Sequence, residues 1–134
     1  MPTSPEAAAA LVAAVADRLP SAAVLADPGS LALGLAAQAG LSCLREGFAD
    51  RAYRSDGSLV PRTEPGAVLA SPDEVASQAV EIAVRHRAPV AGSGWARLDV
   101  DSLCVHGDTP GSVELARAVR QGLSGAGVTL QARR

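Results

Sequence analysis

Two stretches of the 134-residue chain gather side chains able to move protons and recognise an anion. In the first, Cys104-Val105-His106-Gly107-Asp108-Thr109-Pro110-Gly111, a histidine and an aspartate follow a short apolar strand expected over 102–105. An imidazole titrates near neutrality, so His106 can act as general acid or base. The alternative is that His106 is a satisfied turn residue and that Asp108 merely caps the next helix. The second stretch, 46–62, holds Glu46, Asp50, Arg51, Tyr53 and Arg62. Two carboxylates, two guanidiniums and a phenol suit the binding of a small anionic substrate and proton transfer on it. Mixed charge on a long loop also simply keeps a surface soluble. Gly29 and Ser30, at a helix start after a strand, could hold a carboxylate or phosphate through backbone N–H groups, or serve only as a cap.

The elements that must position these residues follow from periodicity and caps. Ser4-Pro5-Glu6 predicts a first helix over 6–19 with Leu11, Val15 and Leu19 as its buried stripe. A strand over 22–26, a turn at Asp27-Pro28-Gly29-Ser30, and a helix over 31–39 closed by Gly40 come next. Another strand is expected over 41–45. From 47 to 65 no period of two or 3.6 persists; Ser55-Asp56-Gly57 marks a tight turn, and Phe48, Tyr53, Leu59 and Val60 are the anchors that would order the segment. Ser71-Pro72-Asp73-Glu74 opens a third helix ending near residue 87, with Val75, Ala79 and Ile82 on its apolar face. His86, in its last turn, should interact with the helix's negative end as a solvated residue. Residues 90–100, with Gly92-Ser93-Gly94, read as a surface hairpin whose exposed face accounts for Asp99 and Asp101 beside Trp95. After the strand at 102–105, Thr109 as N-cap and Pro110 in the first turn predict a helix over 110–123 with Ala116, Val119 and Leu123 inward. Residues 125–130 should turn into a last strand, with Arg133-Arg134 as a frayed tail.

Strands alternating with helices over short connections mark parallel βα units, here with about four core strands. A chain of this length forms one domain or part of a larger one, and is too short for an eight-stranded barrel of about 250 residues. With 48% apolar but only 2% aromatic residues, the core must be built from Ala, Val and Leu. Twelve basic and fourteen acidic residues, without a Lys/Arg cluster, argue against nucleic acid. The longest near-continuous apolar run, 7–16, is too short to span a bilayer and has no charged leader, so neither a membrane span nor a signal peptide is expected. Cys43 and Cys104, far apart and outside any CxxC spacing, read as reduced core thiols of a cytoplasmic protein, and no metal ligand set is read.

The strings Arg45-Glu46-Gly47-Phe48-Ala49-Asp50-Arg51-Ala52-Tyr53, Asp56-Gly57, Leu59-Val60-Pro61-Arg62, Gly66-Ala67-Val68-Leu69 and Leu103-Cys104-Val105-His106-Gly107-Asp108-Thr109-Pro110, in this order, resemble the carboxyl-terminal half of the LamB/YcsF family. Its members are the A subunits of the bacterial ATP-dependent 5-oxoprolinase. The resemblance implies an α/β fold, a partial irregular (β/α) barrel of the deacetylase-like kind with mostly parallel strands, filled by residues 1–134 as one domain. It further implies hydrolysis of 5-oxo-L-proline to L-glutamate with ATP, and magnesium with it, alongside the B and C subunits. Carried onto this chain, His106, Asp50, Asp108 and Glu46 become catalytic candidates, and Arg51, Arg62, Tyr53, Gly29 and Ser30 substrate-binding ones; His106 or Asp50 would transfer protons, and Arg51 or Arg62 would hold the substrate carboxylate. The matching strings all belong to the family's second half, so its amino-terminal half, with the Asn-Cys-Asp strand, is not expected within this sequence. A separate polypeptide or a second copy of this chain would complete the cleft, and open sheet edges favour such association. The alternative is a catalytically incomplete fragment acting as an assembly or small-carboxylate-binding module.

Overall fold

A computed structural model describes residues 4–90 and 92–131. In chain order these form α1 (Pro5–Arg18), β1 (Ala23–Ala26), α2 (Leu31–Gln38), β2 (Ser42–Phe48), α3 (Pro72–Arg85), β3 (Arg87–Pro89), β4 (Trp95–Arg97), β5 (Ser102–Cys104) and α4 (Ser112–Gly125). The tail expected at Arg133-Arg134 lies outside the described residues, as does Ala91 of the hairpin. This is an α/β fold. Its main sheet has three strands in the order β1-β2-β5, one fewer than expected, and stays open with β1 and β5 at its edges. Among the described residues no helix is long and apolar enough to cross a membrane. Backbone contacts divide the chain into two units, Met1–Glu46 with Val100–Ser102, and Gly47–Asp99 with Leu103–Arg134.

In the first unit Ser4 caps α1, its hydroxyl accepting from the Ala7 N–H at 3.3 Å, with Pro5 in the first turn. The buried stripe is Ala8 and Val12, packed with Ala32, Ala36 and Leu41; Leu11 and Leu19 are exposed and Val15 only half-buried. The expected Leu11/Val15/Leu19 stripe is therefore rotated. In a helix this rich in alanine nearly every face is apolar, and the one chosen lets Ala8 meet the small Ala32 and Ala36 at close range. β1 and β2 pair in parallel, Ala23 opposite Ser42 through Ala26 opposite Arg45, with α2 as the crossover. Asp101 is no bystander on a hairpin face: its carboxylate accepts from the Arg45 backbone N–H at 2.9 Å and from Nε and Nη2 of the same arginine at 3.0 and 3.2 Å.

The second unit is built on α3 against α4. Val75, Ala79, Leu115, Val119 and Leu123 are buried together with Ala49. Gly122 permits the close helix approach, since a Cβ there would stand 3.4 Å from that of Ala76. Leu115, not Ala116, is the inward residue of α4. The shift follows from the helix start: Gly111, with φ of 79°, is the N-cap, and Thr109 and Pro110 belong to a preceding turn closed by Ser112 N–H to the Thr109 carbonyl at 3.0 Å. Residues 128–130 form no strand. Instead Gly127 reverses the chain and the Val128 N–H returns to the Leu123 carbonyl at 2.9 Å, which closes the helix and seats Val128 on the core. The hairpin is present but starts earlier, β3 pairing antiparallel with β4 from Arg87 opposite Arg97. His86 is the left-handed C-cap of α3, with Nδ1 3.7 Å from Asp99.

Glu81 of α3 ties the hairpin down, accepting from Arg87 Nε at 2.7 Å and from Arg85. The Arg87 guanidinium in turn lies 3.8 Å over the Trp95 ring. The hydrogen bond from Arg87, more than the nearby positive charges, holds the Glu81 carboxyl below its ordinary value of 4.5. A depressed folded pKa gives stability that is present above the unfolded value and lost as pH falls through the folded one. Urea unfolding should therefore find Glu81→Gln less stable than the native chain at neutral pH, with the gap closing below pH 4.5; a pH-independent gap would contradict this. Leu115→Ala should cost about 2–5 kcal/mol in the same assay, and Leu11→Ala less than about 0.5 kcal/mol.

Candidate functional site

The site grows from the point where β2 ends. β2 runs three residues beyond its expected end, to Phe48, and the Ala49 N–H then donates to the Cys104 carbonyl at 3.0 Å. The segment without a sequence period is ordered by isolated pairings, Arg51 with Val68 and Tyr53 with Leu59 and Val90. Gly57 closes the expected tight turn through its N–H to the Arg54 carbonyl at 3.0 Å. Of the expected anchors Tyr53 is buried, and Phe48, Leu59 and Val60 are half-buried.

Asp50 sits in this turn with its side chain wholly out of solvent. A buried carboxylate needs hydrogen-bond donors. His106 supplies two: its backbone N–H donates to Oδ2 at 3.0 Å, and its ring Nδ1 lies 2.9 Å from Oδ1 and 3.0 Å from Oδ2. An ionised carboxylate only accepts, so the Nδ1 position carries the proton in this pair. In the neutral ring Nε2 is then the basic nitrogen. Phe48 stacks on the imidazole, with centroids 5.4 Å apart and planes 15° apart, which fixes the ring's orientation. The histidine side chain retains 20% exposure.

The other expected residues divide into scaffold and surface. Arg51 is buried, and its guanidinium is occupied by backbone carbonyls, Nε with Ala67 at 3.1 Å and Nη2 with Val60 at 2.7 Å. Burial, then the positive charge of Arg62, pushes its pKa down, partly offset by Asp50 and Tyr53. The Tyr53 hydroxyl accepts from the Phe48 N–H at 2.7 Å. Arg62 and Asp108 are exposed partners at 3.5 Å. Glu46, half-buried on β2, and Gly29 and Ser30 belong to the first unit. There Ser30 is the N-cap of α2 without a side-chain cap bond, and its N–H donates to the Asp27 carbonyl at 3.0 Å. Among the described residues no three of His, Cys, Asp or Glu are placed to hold a metal ion.

Gln78 escapes a sequence search for chemistry, yet it holds the turn. It is buried, and its Nε2 donates to the carbonyls of Phe48 at 3.1 Å, Ala49 at 3.0 Å and Arg51 at 2.7 Å. One signal was available: position 78 lies on the 75–79–82 stripe of α3, where an amide breaks an otherwise apolar face.

A buried aspartate orienting a partly buried histidine, set where a strand gives way to a loop in an α/β fold, is an arrangement able to serve as a general acid–base pair. The chain belongs to the LamB/YcsF family, which it matches over residues 1–134. It is 51% identical over 127 residues to a protein from Streptomyces griseus named as the A subunit of 5-oxoprolinase, covering 93% of this chain and 50% of the relative. It is 45% identical over 130 residues to one of the same name from Mycolicibacterium paratuberculosis, covering 97% and 52%. It is also similar to the crystal structure of the lactam utilization protein from Thermus thermophilus, with a TM-score of 0.89 at 34% identity over 96% of this chain and 51% of that one. The chain spans about half the length of these relatives.

Tyr53→Phe would leave the Phe48 N–H without its acceptor. It should lower unfolding free energy by about 1–3 kcal/mol; an unchanged denaturation midpoint would show that the bond carries no weight.

Proposed function

We propose that this chain supplies one wall of the substrate cleft of a 5-oxoprolinase A subunit, as the equivalent of its carboxyl-terminal half, acting in the cytoplasm with the B and C subunits on 5-oxo-L-proline to give L-glutamate. The names of the relatives support the reading, and the observation that carries it is the Asp50–His106 pair. In this reading His106 Nε2 takes a proton from water as its oxygen bonds to the ring carbonyl carbon, and returns a proton to the ring nitrogen as the C–N bond breaks. Asp50 acts through His106, holding the imidazole and balancing its transient charge. Arg62 is the arginine assigned to the substrate carboxylate, because the Arg51 guanidinium is already occupied by backbone. Asp108 parks Arg62 when substrate is absent.

ATP would make the lactam carbon attackable by phosphorylating its oxygen with release of ADP; breakage of the C–N bond would then leave a γ-acyl phosphate, which a second water would hydrolyse to the carboxylate and inorganic phosphate. Neither Gly-x-Gly string suits ATP: Gly92-Ser93-Gly94 turns the β3–β4 hairpin and Gly125-Ala126-Gly127 ends α4, so neither opens a helix. No residue of this chain is therefore assigned to ATP or magnesium.

With the amino-terminal half, the B and C subunits, 5-oxoproline and ATP present, His106→Ala should lower glutamate formation by about 10²–10⁴-fold, and Arg62→Ala should act mainly on KM. Full activity of the His106 variant would overturn the assignment. Because the chain spans half of each relative, a second reading is a module that binds the small carboxylate without turning it over. Calorimetric binding of 5-oxoproline, lost in Arg62→Ala and with no glutamate formed in any complete assembly, would favour that reading.

A further inference from the structure

Beside the Asp50 turn the second unit carries a groove of about 550 Å³ that the proposed chemistry does not use. Its volume falls within the range of small-molecule sites, roughly 300–1,000 Å³. Leu69, Val90 and Trp95 supply apolar surface, and α3 contributes Glu74, Gln78 and Glu81. Positions 74, 78 and 81 are spaced by four and three residues, so they share one face of the helix. Glu81 is engaged by Arg85 and Arg87, whereas no cation among the described residues pairs with Glu74.

Gln78 joins the groove to the turn. Its Nε2 is fully committed to the Phe48, Ala49 and Arg51 carbonyls, which fixes the orientation of the amide. Among the described residues no donor reaches Oε1, and that atom is not sealed from solvent. A side chain only 2% exposed thus keeps an acceptor without a donor, and its residue lines the groove. An acceptor beside an unpaired carboxylate over apolar walls selects for a cation with N–H groups and a greasy body. An anionic ligand would face the carboxylates of Asp73 and Glu74, while the Arg87 guanidinium over Trp95 is already taken by Glu81.

We propose that this groove is a binding site for a small primary ammonium compound with an apolar body, its N–H groups taken by Gln78 Oε1 and the Glu74 carboxylate, and that Gln78 transmits occupancy to the Asp50 turn. The site stands whether or not Asp50 and His106 act on a lactam. Trp95 is the chain's single tryptophan, so its fluorescence reports binding directly. The whole chain should be titrated with phenethylamine, with phenethyl alcohol and phenylacetate as the neutral and anionic controls. The amine should bind saturably and roughly fivefold tighter than the alcohol, phenylacetate should bind weakest, and Glu74→Gln, at an exposed position, should erase the preference for the amine. In the ¹⁵N-labelled chain the amide signals of 49–51 and His106 should shift with the same midpoint as the fluorescence. Absence of saturation, or an amine preference untouched by Glu74→Gln, would overturn the site. Saturable binding with silent amides at 49–51 and His106 would overturn the coupling.

Discussion

A carboxylate with no solvent at all is the constraint around which the second unit is arranged. Asp50 is buried at the end of β2, where a charge without donors would cost several kcal/mol. The fold answers with the backbone N–H and the ring of one residue, His106, delivered by the segment after β5. Satisfying the aspartate and orienting the histidine are one interaction. Folding stability therefore selects the ring position that leaves Nε2 free, and proton transfer can use that state without further rearrangement.

Around this pair, backbone groups outside regular secondary structure are met by side chains. Arg51 bonds two carbonyls, Tyr53 accepts one N–H and Gln78 spans three carbonyls. A long connection in a compact domain would otherwise leave buried polar groups unsatisfied. Arg51 and Tyr53 read as binding chemistry because they are charged or aromatic, yet their heads point into the protein. Arg62 differs in being exposed and held by a single 3.5 Å contact, which leaves it available to exchange Asp108 for another carboxylate.

Much of this is legible in the chain. Ser-Pro-acid caps place the starts of α1 and α3, and β1 and the tip of the hairpin follow from a short apolar run and a Gly-Ser-Gly turn, because those signals are local. Expectation and structure part where local signals are degenerate or overridden. The alanine-rich α1 has apolar residues on every face, so only the small partners Ala32 and Ala36 decide that Ala8 and Val12 turn inward. Thr109-Pro110 imitates a helix start, but Gly111 in the left-handed region moves it to Ser112. Glu46 and Gly47 look like loop and are strand, since pairing within the sheet outweighs their propensity. His106 and Asp50 both stand out by their types and neighbours, while their meeting across 56 positions is a tertiary fact that no spacing encodes. Gln78 does not stand out, because a lone amide on a helix carries no motif.

Everything at this site follows from Asp50 fixing the His106 ring with its proton on Nδ1. Long-range ¹H–¹⁵N correlation of the imidazole, recorded across a pH series, reads this directly. The native chain should show an Nδ1-protonated ring with an unprotonated Nε2, giving way to mixed tautomers in Asp50→Ala. A native ring protonated on Nε2, or a tautomer indifferent to loss of the Asp50 carboxylate, would contradict it.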